Sequence, residues 1–354
     1  MRSISPEALD SFVRQVCTAL GSHDFEAELV ACQLVRANLT GHDSHGVGML
    51  PAYVAGALAG KLRINGHVRT VVDTGPLLVF DGDAGFGQVM GFETMNETIS
   101  RAKTHGVAIV GLRNSCHIGR IGHWAEQCAR AGLASIHFVN VVGHSPLVAP
   151  FGGGDARFGT NPFCVAIPST GDRPAVLLDM ATSKIAMGKA RVAFNKGEAV
   201  PADTLLDGHG QMTTDPTGMF SNPRSGALVA MGDHKGSGLA IVCELLGAAL
   251  LGGPVMGEAS SAFGGIINNM LTIAIDPSAI TSRNALADEA SNFLDYVKDS
   301  PPRDGFSEIL VPGEPEARSE HERAVGIQID DTTIEELRSC ARSAGAPNAL
   351  DLLS

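Results

Sequence analysis

Between Val107 and Ile275 the chain alternates short apolar runs with longer stretches of helical periodicity, and that alternation narrows the possible folds more than any other feature. The runs Val107 to Val110, Leu133 to Val139, Cys164 to Ile167, Val176 to Leu178 and Leu271 to Ile275 have the length of strands, not of core helices. Helices are expected between them at about residues 119–131 and 235–251, which makes the centre of the chain a mixed α/β lobe.

The flanks carry clearer punctuation. Ser5, Pro6 and Glu7 combine an N-cap, a first-turn proline and an acid favoured by the helix dipole, and Leu9, Phe12, Val13, Val16 and Leu20 follow at helical spacing up to Gly21. A second helix is expected from Asp24 to Asn38, closed by Gly41, and a third from Pro51 to Gly60. Val68 to Val72 and Leu77 to Phe80, parted by Asp73, Thr74, Gly75 and Pro76, predict a hairpin or corner, with a helix over Phe92 to His105. Residues 281–304 are polar with one helical stretch, Asn292 to Val297. Glu314 to Arg323 is dense in charge and reads as a solvated face, and a capped helix begins near Asp331.

Charge and cysteine content bound what such a chain can hold. With 26 Lys and Arg against 38 Asp and Glu the formal charge is -12, so neither nucleic acid nor an anionic membrane is an expected partner. An anionic ligand must then be met locally by Arg, Lys, His or a helix N-terminus. The seven cysteines are odd in number, spread out and never in a C-x-x-C pair, which indicates neither a disulfide framework nor a zinc knuckle. Met1 to Pro6 lacks a basic stretch followed by an apolar run, so the expectation is an untargeted cytoplasmic protein.

Four segments could carry chemistry. Gly41-His42-Asp43-Ser44-His45-Gly46 packs two imidazoles, a carboxylate and a hydroxyl between helices; a histidine there can pass a proton near neutral pH, although His42 and Asp43 can equally be helix caps. Asn114 to His123 is a strand followed by a glycine-spaced turn that aims backbone amides, Arg120, His117 and His123 at an anion, with a plain structural turn as the alternative. Asp179-Met180-Ala181-Thr182-Ser183 ends a strand with small side chains that let a phosphate or ribose approach, though Asp and Thr also serve as N-caps. Gly232 to Gly238, with His234 and Lys235, opens an apolar helix and suits a pyrophosphate or 2'-phosphate without being a Walker motif. Gly85-Phe86-Gly87 is followed by Gly91 and by no suitably placed acid, so it is read as a turn and not as a Rossmann fingerprint.

Taken together these segments resemble the malate/L-lactate dehydrogenase family, which is distinct from the Rossmann lactate and malate dehydrogenases. Ser44-His45-Gly46 with Pro51 and Tyr53, Asn114 to Gly122, Phe158-Gly159-Thr160-Asn161-Pro162, Asp179 to Ser183 and Pro312-Gly313-Glu314 are similar to the family's blocks and stand in its order. His42 to Gly46, Gly48-Met49, Arg120-Ile121-Gly122 and Ala149-Pro150-Phe151 look like its hydroxycarboxylate dehydrogenase B branch. The resemblance implies a non-Rossmann α/β fold with a mixed, largely antiparallel sheet. It further implies an N-terminal helical and substrate-site region over 1–110, an NAD(P)-binding domain over 111–280 and a C-terminal segment over 281–354 that completes the site.

The same resemblance implies reduction of a 2-oxo acid to a 2-hydroxy acid with NAD or NADP, no metal, and a homodimer. His45 would be the proton donor with Ser44 beside it, and His117 the other candidate acid. Gly119, Arg120, Asp179, Met180, Ala181, Thr182, His234, Lys235, Pro312, Gly313 and Glu314 would bind the cofactor, and Tyr53 and Arg120 the substrate. Where most of the family has an arginine four residues after this histidine, Met49 stands here, so the usual clamp for the substrate carboxylate is missing and Arg120, Arg157 or Arg191 are the candidates to replace it. The competing expectations are a cyclic imine carboxylate reductase, a nucleotide-binding protein without catalysis and a metal hydrolase using the histidines.

Overall fold

The computed structural model describes residues 1–169, 173–257 and 265–353. Its helices are α1 (Pro6–Ala19), α2 (Asp24–Leu39), α3 (Leu50–Leu58), α4 (Gly87–His105), α5 (Ile121–Arg130), α6 (Met187–Lys196), α7 (Thr217–Phe220), α8 (His234–Gly247), α9 (Arg283–Lys298), α10 (Glu314–Arg323) and α11 (Asp331–Ala344). Ser5 caps α1 by accepting from the Ala8 amide, and Asp330 caps α11 by accepting from that of Thr333.

A two-stranded ribbon joins the chain's beginning to its end, β1 (Arg2–Ile4) lying antiparallel to β13 (Ile327–Ile329). The main sheet holds β2 (Arg69–Asp73), β3 (Leu77–Asp81), β4 (Val107–Cys116), β5 (Ala134–Val142), β7 (Phe163–Ile167), β8 (Val176–Met180) and β12 (Ile267–Ile275), in the order β2-β3-β4-β12-β5-β7-β8. Every neighbouring pair in it is antiparallel except β3 and β4, which α4 connects as a parallel unit. The expected non-Rossmann, largely antiparallel sheet is therefore present. A smaller sheet of β6 (Val148–Ala149), β9 (Leu205–Leu206), β10 (Met212–Thr213) and β11 (Ala227–Val229) was not foreseen, because strands of two or three residues leave no periodicity to detect.

Strand alternation sends Leu78, Phe80, Val110 and Leu112 to one face of the main sheet, where they are buried beneath α4. α5 packs on the same side, with Trp124 fully buried and its indole nitrogen donating to the Ile118 carbonyl at 3.0 Å. One hydrophobic cluster runs through this layer from Ile4 to Leu353 and takes in α1, α2 and α11. The boundary expected at residue 110 falls inside β4.

Several boundaries differ from expectation for physical reasons. α4 begins at Gly87, not Phe92, because its first turn lies against the turn after β4: a Cβ on Gly87 would overlap the His117 carbonyl, and one on Gly91 the Trp124 ring. α9 runs from Arg283, well before the expected Asn292, with Ser282 as its N-cap. Glu314 to Arg323 is not merely a solvated face but a helix, and the next section gives what it holds.

Candidate active site

The loop after α2 folds as two short 3-10 turns, Asp43–His45 and Val47–Met49. Buried Asn38, near the end of α2, ties them together, accepting from the Val47 amide at 2.8 Å and donating to Asp43 Oδ1 at 2.7 Å. From the other side α10 grips the loop. His42 Nε2 lies 3.2 Å from Glu316 Oε1, Ser319 Oγ donates to the Leu39 carbonyl at 2.9 Å, and Arg323 Nη1 donates to the Asn38 carbonyl at 2.6 Å and to Asp43 Oδ1 at 2.7 Å. Residues 316, 319 and 323 recur at helical spacing, so one stripe of α10 makes all these contacts. His42 and Asp43 thus anchor the loop and leave Ser44 and His45 to project from it.

His45 Nδ1 lies 3.0 Å from Ser44 Oγ, and its ring stacks on that of His117 with centroids 5.4 Å apart and planes 17° from parallel. His117 comes from the turn after β4, and its Nδ1 lies 2.7 Å from the hydroxyl of buried Tyr53 in α3. Gln88, in the first turn of α4, donates to the same hydroxyl at 3.0 Å. Both Nδ1 atoms are therefore occupied, while no partner among the described residues engages either Nε2. Burial, with the nearby charges of His42 and Arg120, lowers the His45 pKa to about 4, and burial beside His45 lowers that of His117 to about 3. Both imidazoles are therefore neutral at neutral pH in the free protein. Each ring nonetheless keeps part of its surface open.

Arg120 follows on the same turn and is only 3% exposed. It pairs with Glu126 of α5, whose carboxyl, against the cost of burial, is held below the usual range by Arg120 and Arg36. Arg120 Nε and Nη1 have no hydrogen-bond partner, and neither do both amide atoms of buried Gln33 or Oε1 of Gln88. Those two glutamines stand on either side of Gly119, where a Cβ would lie 3.6 Å from Gln33 Oε1 and 3.7 Å from Gln88 Nε2, and whose φ of +72° turns the chain between β4 and α5. Unpaired donors and acceptors of this kind are costly in a finished interior, so the cluster suits a polar group that pairs with them.

The nucleotide-type segments lie next to this cluster. Asp179, on β8, accepts from the Gly122 amide at 2.8 Å, so the chain's own carboxylate takes an amide at the start of α5 that was expected to face an anionic ligand. Burial pushes the Asp179 carboxyl up, with His42, Arg120 and that amide pulling the other way. Met180 ends β8. Ala181 follows, and Thr182 is buried, its hydroxyl donating to the Thr160 carbonyl at 2.8 Å. The Met231 amide donates to the Thr182 carbonyl, which brings exposed His234 and Lys235, at the start of α8, alongside. α6 returns the chain to the loop, where a Cβ on Gly188 would stand 3.0 Å from Ser44 Cβ.

Pro312 to Glu314 docks on the edge of β8. The Pro312 carbonyl accepts from Leu177, Gly313 adopts φ +98°, and the Glu314 carboxylate is occupied by Lys298 and the Val311 amide. Of the arginines considered as substitutes at Met49, Arg157 pairs with Asp155 at the surface and Arg191 lies over Phe220, leaving Arg120 with free donors inside the cluster. Met49 itself packs against the main core. Gln33, Gln88, Glu126 and Glu316 were not anticipated: a lone glutamine or glutamate in a helix carries no local signature. Among the described residues no three of His, Cys, Asp and Glu are grouped to hold a metal ion.

Comparison with known proteins fits this geometry. The family described as malate/L-lactate dehydrogenase matches residues 4–338. Hydroxycarboxylate dehydrogenase B of Escherichia coli strain K12 is 47% identical over 96% of this chain and 94% of its own. The solved sulfolactate dehydrogenase of Methanocaldococcus jannaschii superposes with a TM-score of 0.86 at 32% identity, covering 97% of this chain and 98% of that one. A Δ1-piperideine-2-carboxylate reductase from Pseudomonas syringae superposes with a TM-score of 0.82 at 27% identity, covering 96% and 100%.

Proposed function

The chain belongs to the malate/L-lactate dehydrogenase family, and from that premise we propose that it interconverts a 2-oxo acid and a 2-hydroxy acid at the paired imidazoles of His45 and His117. It is a nicotinamide-dependent oxidoreductase acting on the CH–OH group of hydroxycarboxylates. The stacked rings, each with an unengaged Nε2 next to the unpaired donors of Arg120, carry this reading.

A nicotinamide fits the cluster on the same grounds: unpaired donors on Arg120, small side chains at Ala181, and His234 and Lys235 at the start of α8 to meet phosphate. Asp179 to Thr182, Gly119, His234, Lys235 and the Pro312 to Glu314 turn line the space assigned to it, the last through backbone, since the Glu314 side chain is engaged elsewhere. When bound it supplies the hydride that reduces the 2-oxo carbon. His45 Nε2 gives its proton to the developing alkoxide and recovers one in the reverse direction, with Ser44 holding Nδ1. Arg120 Nε and Nη1 anchor the substrate carboxylate, taking over from the arginine that Met49 replaces. Tyr53, assigned to the substrate on sequence, acts here through His117.

The carboxylate so placed brings a negative charge toward His45 and raises the pKa that burial has lowered, which moves the ring toward its working range. All seven cysteines are free thiols, as a reducing compartment keeps them, and the cytoplasm is the assigned location. A homodimer is the assigned state.

His45→Ala tests this assignment. It should lower kcat/KM for 2-oxo acids by roughly 10²- to 10⁴-fold while binding of reduced cofactor, followed by nicotinamide fluorescence, persists. Retained turnover would remove His45 from the chemistry. A panel of 2-oxo acids and a cyclic imine carboxylate, each with NADH and NADPH, separates substrate class and cofactor preference.

A further inference from the structure

The stacked rings of His45 and His117 are held at Nδ1 by partners of different kinds. Ser44 Oγ, 3.0 Å from His45 Nδ1, belongs to an exposed residue and can donate or accept. The buried Tyr53 hydroxyl, 2.7 Å from His117 Nδ1, already receives a hydrogen from Gln88 Nε2 at 3.0 Å. An amide nitrogen only donates, so Gln88, itself fully buried, gives this chain of hydrogen bonds a direction. Backbone packing sets Gln88 there: a Cβ on the preceding Gly87 would lie 2.1 Å from the His117 carbonyl oxygen, so the first turn of α4 rests directly on the turn that carries His117.

The position of the ring proton follows from where the hydrogens can go. Burial pushes the Tyr53 pKa up, so the hydroxyl keeps its hydrogen, and burial lowers that of His117 to about 3, so the ring carries one proton. With Gln88 donating to the oxygen, His117 Nδ1 is the remaining partner of the hydroxyl hydrogen among the described residues. A ring proton on Nδ1 would bring a second donor to the same oxygen and leave a buried O–H without an acceptor, which is costly. The proton therefore sits on Nε2, and His117 cannot take another there. His45 is not bound in this way, because Ser44 can accept from its Nδ1 and leave Nε2 bare to receive a proton.

We propose that Gln88 is a positioning residue: by donating to Tyr53 it holds His117 as its Nε2–H tautomer, so that His117 serves as a fixed hydrogen-bond donor to the reacting oxygen and not as a second proton carrier. The inference rests on the reading of His45 as the group that moves the proton. As the 2-oxo carbon receives hydride, its oxygen takes the electron pair of the C=O bond and then the proton of His45 Nε2. The Nε2–H of His117 stays on its nitrogen throughout and strengthens its hydrogen bond as charge develops on that oxygen. A neutral imidazole suits this work, since it polarises a carbonyl without surrendering its proton. One ring thus shuttles and the other stays fixed, and the difference originates in Gln88, which touches neither ring.

Nitrogen NMR of the full chain labelled with 15N-histidine reads the tautomer directly, with the His117 ring assigned from its backbone. The unmodified chain should show His117 as a single Nε2–H form at pH 7. An Nδ1–H form, or shifts averaged between the two, overturns the proposal. Kinetics with a 2-oxo acid test the role. His117→Leu should lower kcat about 100-fold, whereas His117→Gln, whose amide still donates but cannot carry a proton, should lose only about tenfold. Equal losses in the two folded variants overturn the donor role. Gln88→Met removes the directing amide and should average the His117 shifts and lower kcat about tenfold, with binding of reduced cofactor retained. A folded Gln88→Met chain with unchanged shifts and kcat removes Gln88 from the scheme, and if the variants fail to fold the tautomer of the unmodified chain decides. Failure of the underlying reading shows elsewhere: an unmodified chain that turns over no 2-oxo acid, or a His45→Ala variant that keeps its turnover, ends that reading and this inference with it, whatever the His117 variants do.

Discussion

Two half-exposed imidazoles share one small space at the centre of the cluster, and their environments set how each titrates. Burial lowers the proton affinity of both rings, with His42 and Arg120 adding to the effect at His45 and His45 adding to it at His117, so at neutral pH both are uncharged in the free protein. Oxidation of a 2-hydroxy acid needs the neutral ring, so its kcat/KM should hold as pH falls from 7 and decline only toward the His45 pKa of about 4. Reduction needs the protonated ring, so its kcat/KM should decline as pH rises. Initial rates in both directions between pH 4.5 and about 9 check this, and a reduction rate that climbs with pH would contradict the role of His45. Tyr53→Phe removes the hydroxyl that engages His117 Nδ1 and Gln88 Nε2 together. Losing positioning worth about 1.4 kcal/mol would lower kcat/KM about tenfold, with less change in cofactor affinity. Steady-state kinetics beside a cofactor titration separate the two effects.

At the scale of elements, α10 determines where His45 stands without carrying a reacting group. Its stripe of Glu316, Ser319 and Arg323 grips the loop, and Arg323 alone engages both the end of α2 and Asp43. Arg323→Ala is expected to lower kcat by about tenfold with little change in binding of reduced cofactor, and Arg323→Lys to restore part of it, because a single nitrogen makes both contacts. Unchanged kcat in the folded alanine variant would mean that the loop holds its shape unaided. α10 also marks the limit of what was legible in the sequence. Apolar periodicity and a cap announce α1 and the short apolar runs announce the inner strands of the main sheet, because those elements bury a face, while fully exposed β2 is announced by the turn residues Asp73 to Pro76 that part it from β3. A helix whose contacts are polar has no such period, so Glu314 to Arg323 read as charge alone. The start of α4 was hidden for a related reason: Gly87 is required by the neighbouring His117 carbonyl, a contact between residues distant in sequence. His45 and, as the other candidate, His117 were readable as candidate proton donors because their blocks resemble a family, whereas Gln33, Gln88 and Glu316 acquire meaning only from what lies opposite them.

Across the whole molecule, the apolar interior that shapes the cluster also makes the fold sensitive to acid. His137 lies fully buried in the middle of the main sheet, with Nδ1 2.9 Å from Thr272 Oγ1 and Nε2 3.0 Å from Ser135 Oγ. Burial lowers its pKa to about 3, so the folded chain holds it neutral while the unfolded chain protonates it near 6.5. The unfolded state then binds the extra proton, and the stability tied to His137 is complete above pH 6.5 and is lost progressively as pH falls toward about 3. One proton corresponds to about 1.4 kcal/mol per pH unit within that window. His137→Gln keeps polar atoms for Ser135 and Thr272 but cannot titrate. Urea unfolding between pH 7 and about 5 should therefore give a variant that is less stable at pH 7 yet loses stability more slowly on acidification, by close to one proton's worth. If the two slopes coincide, protonation of His137 is not coupled to unfolding.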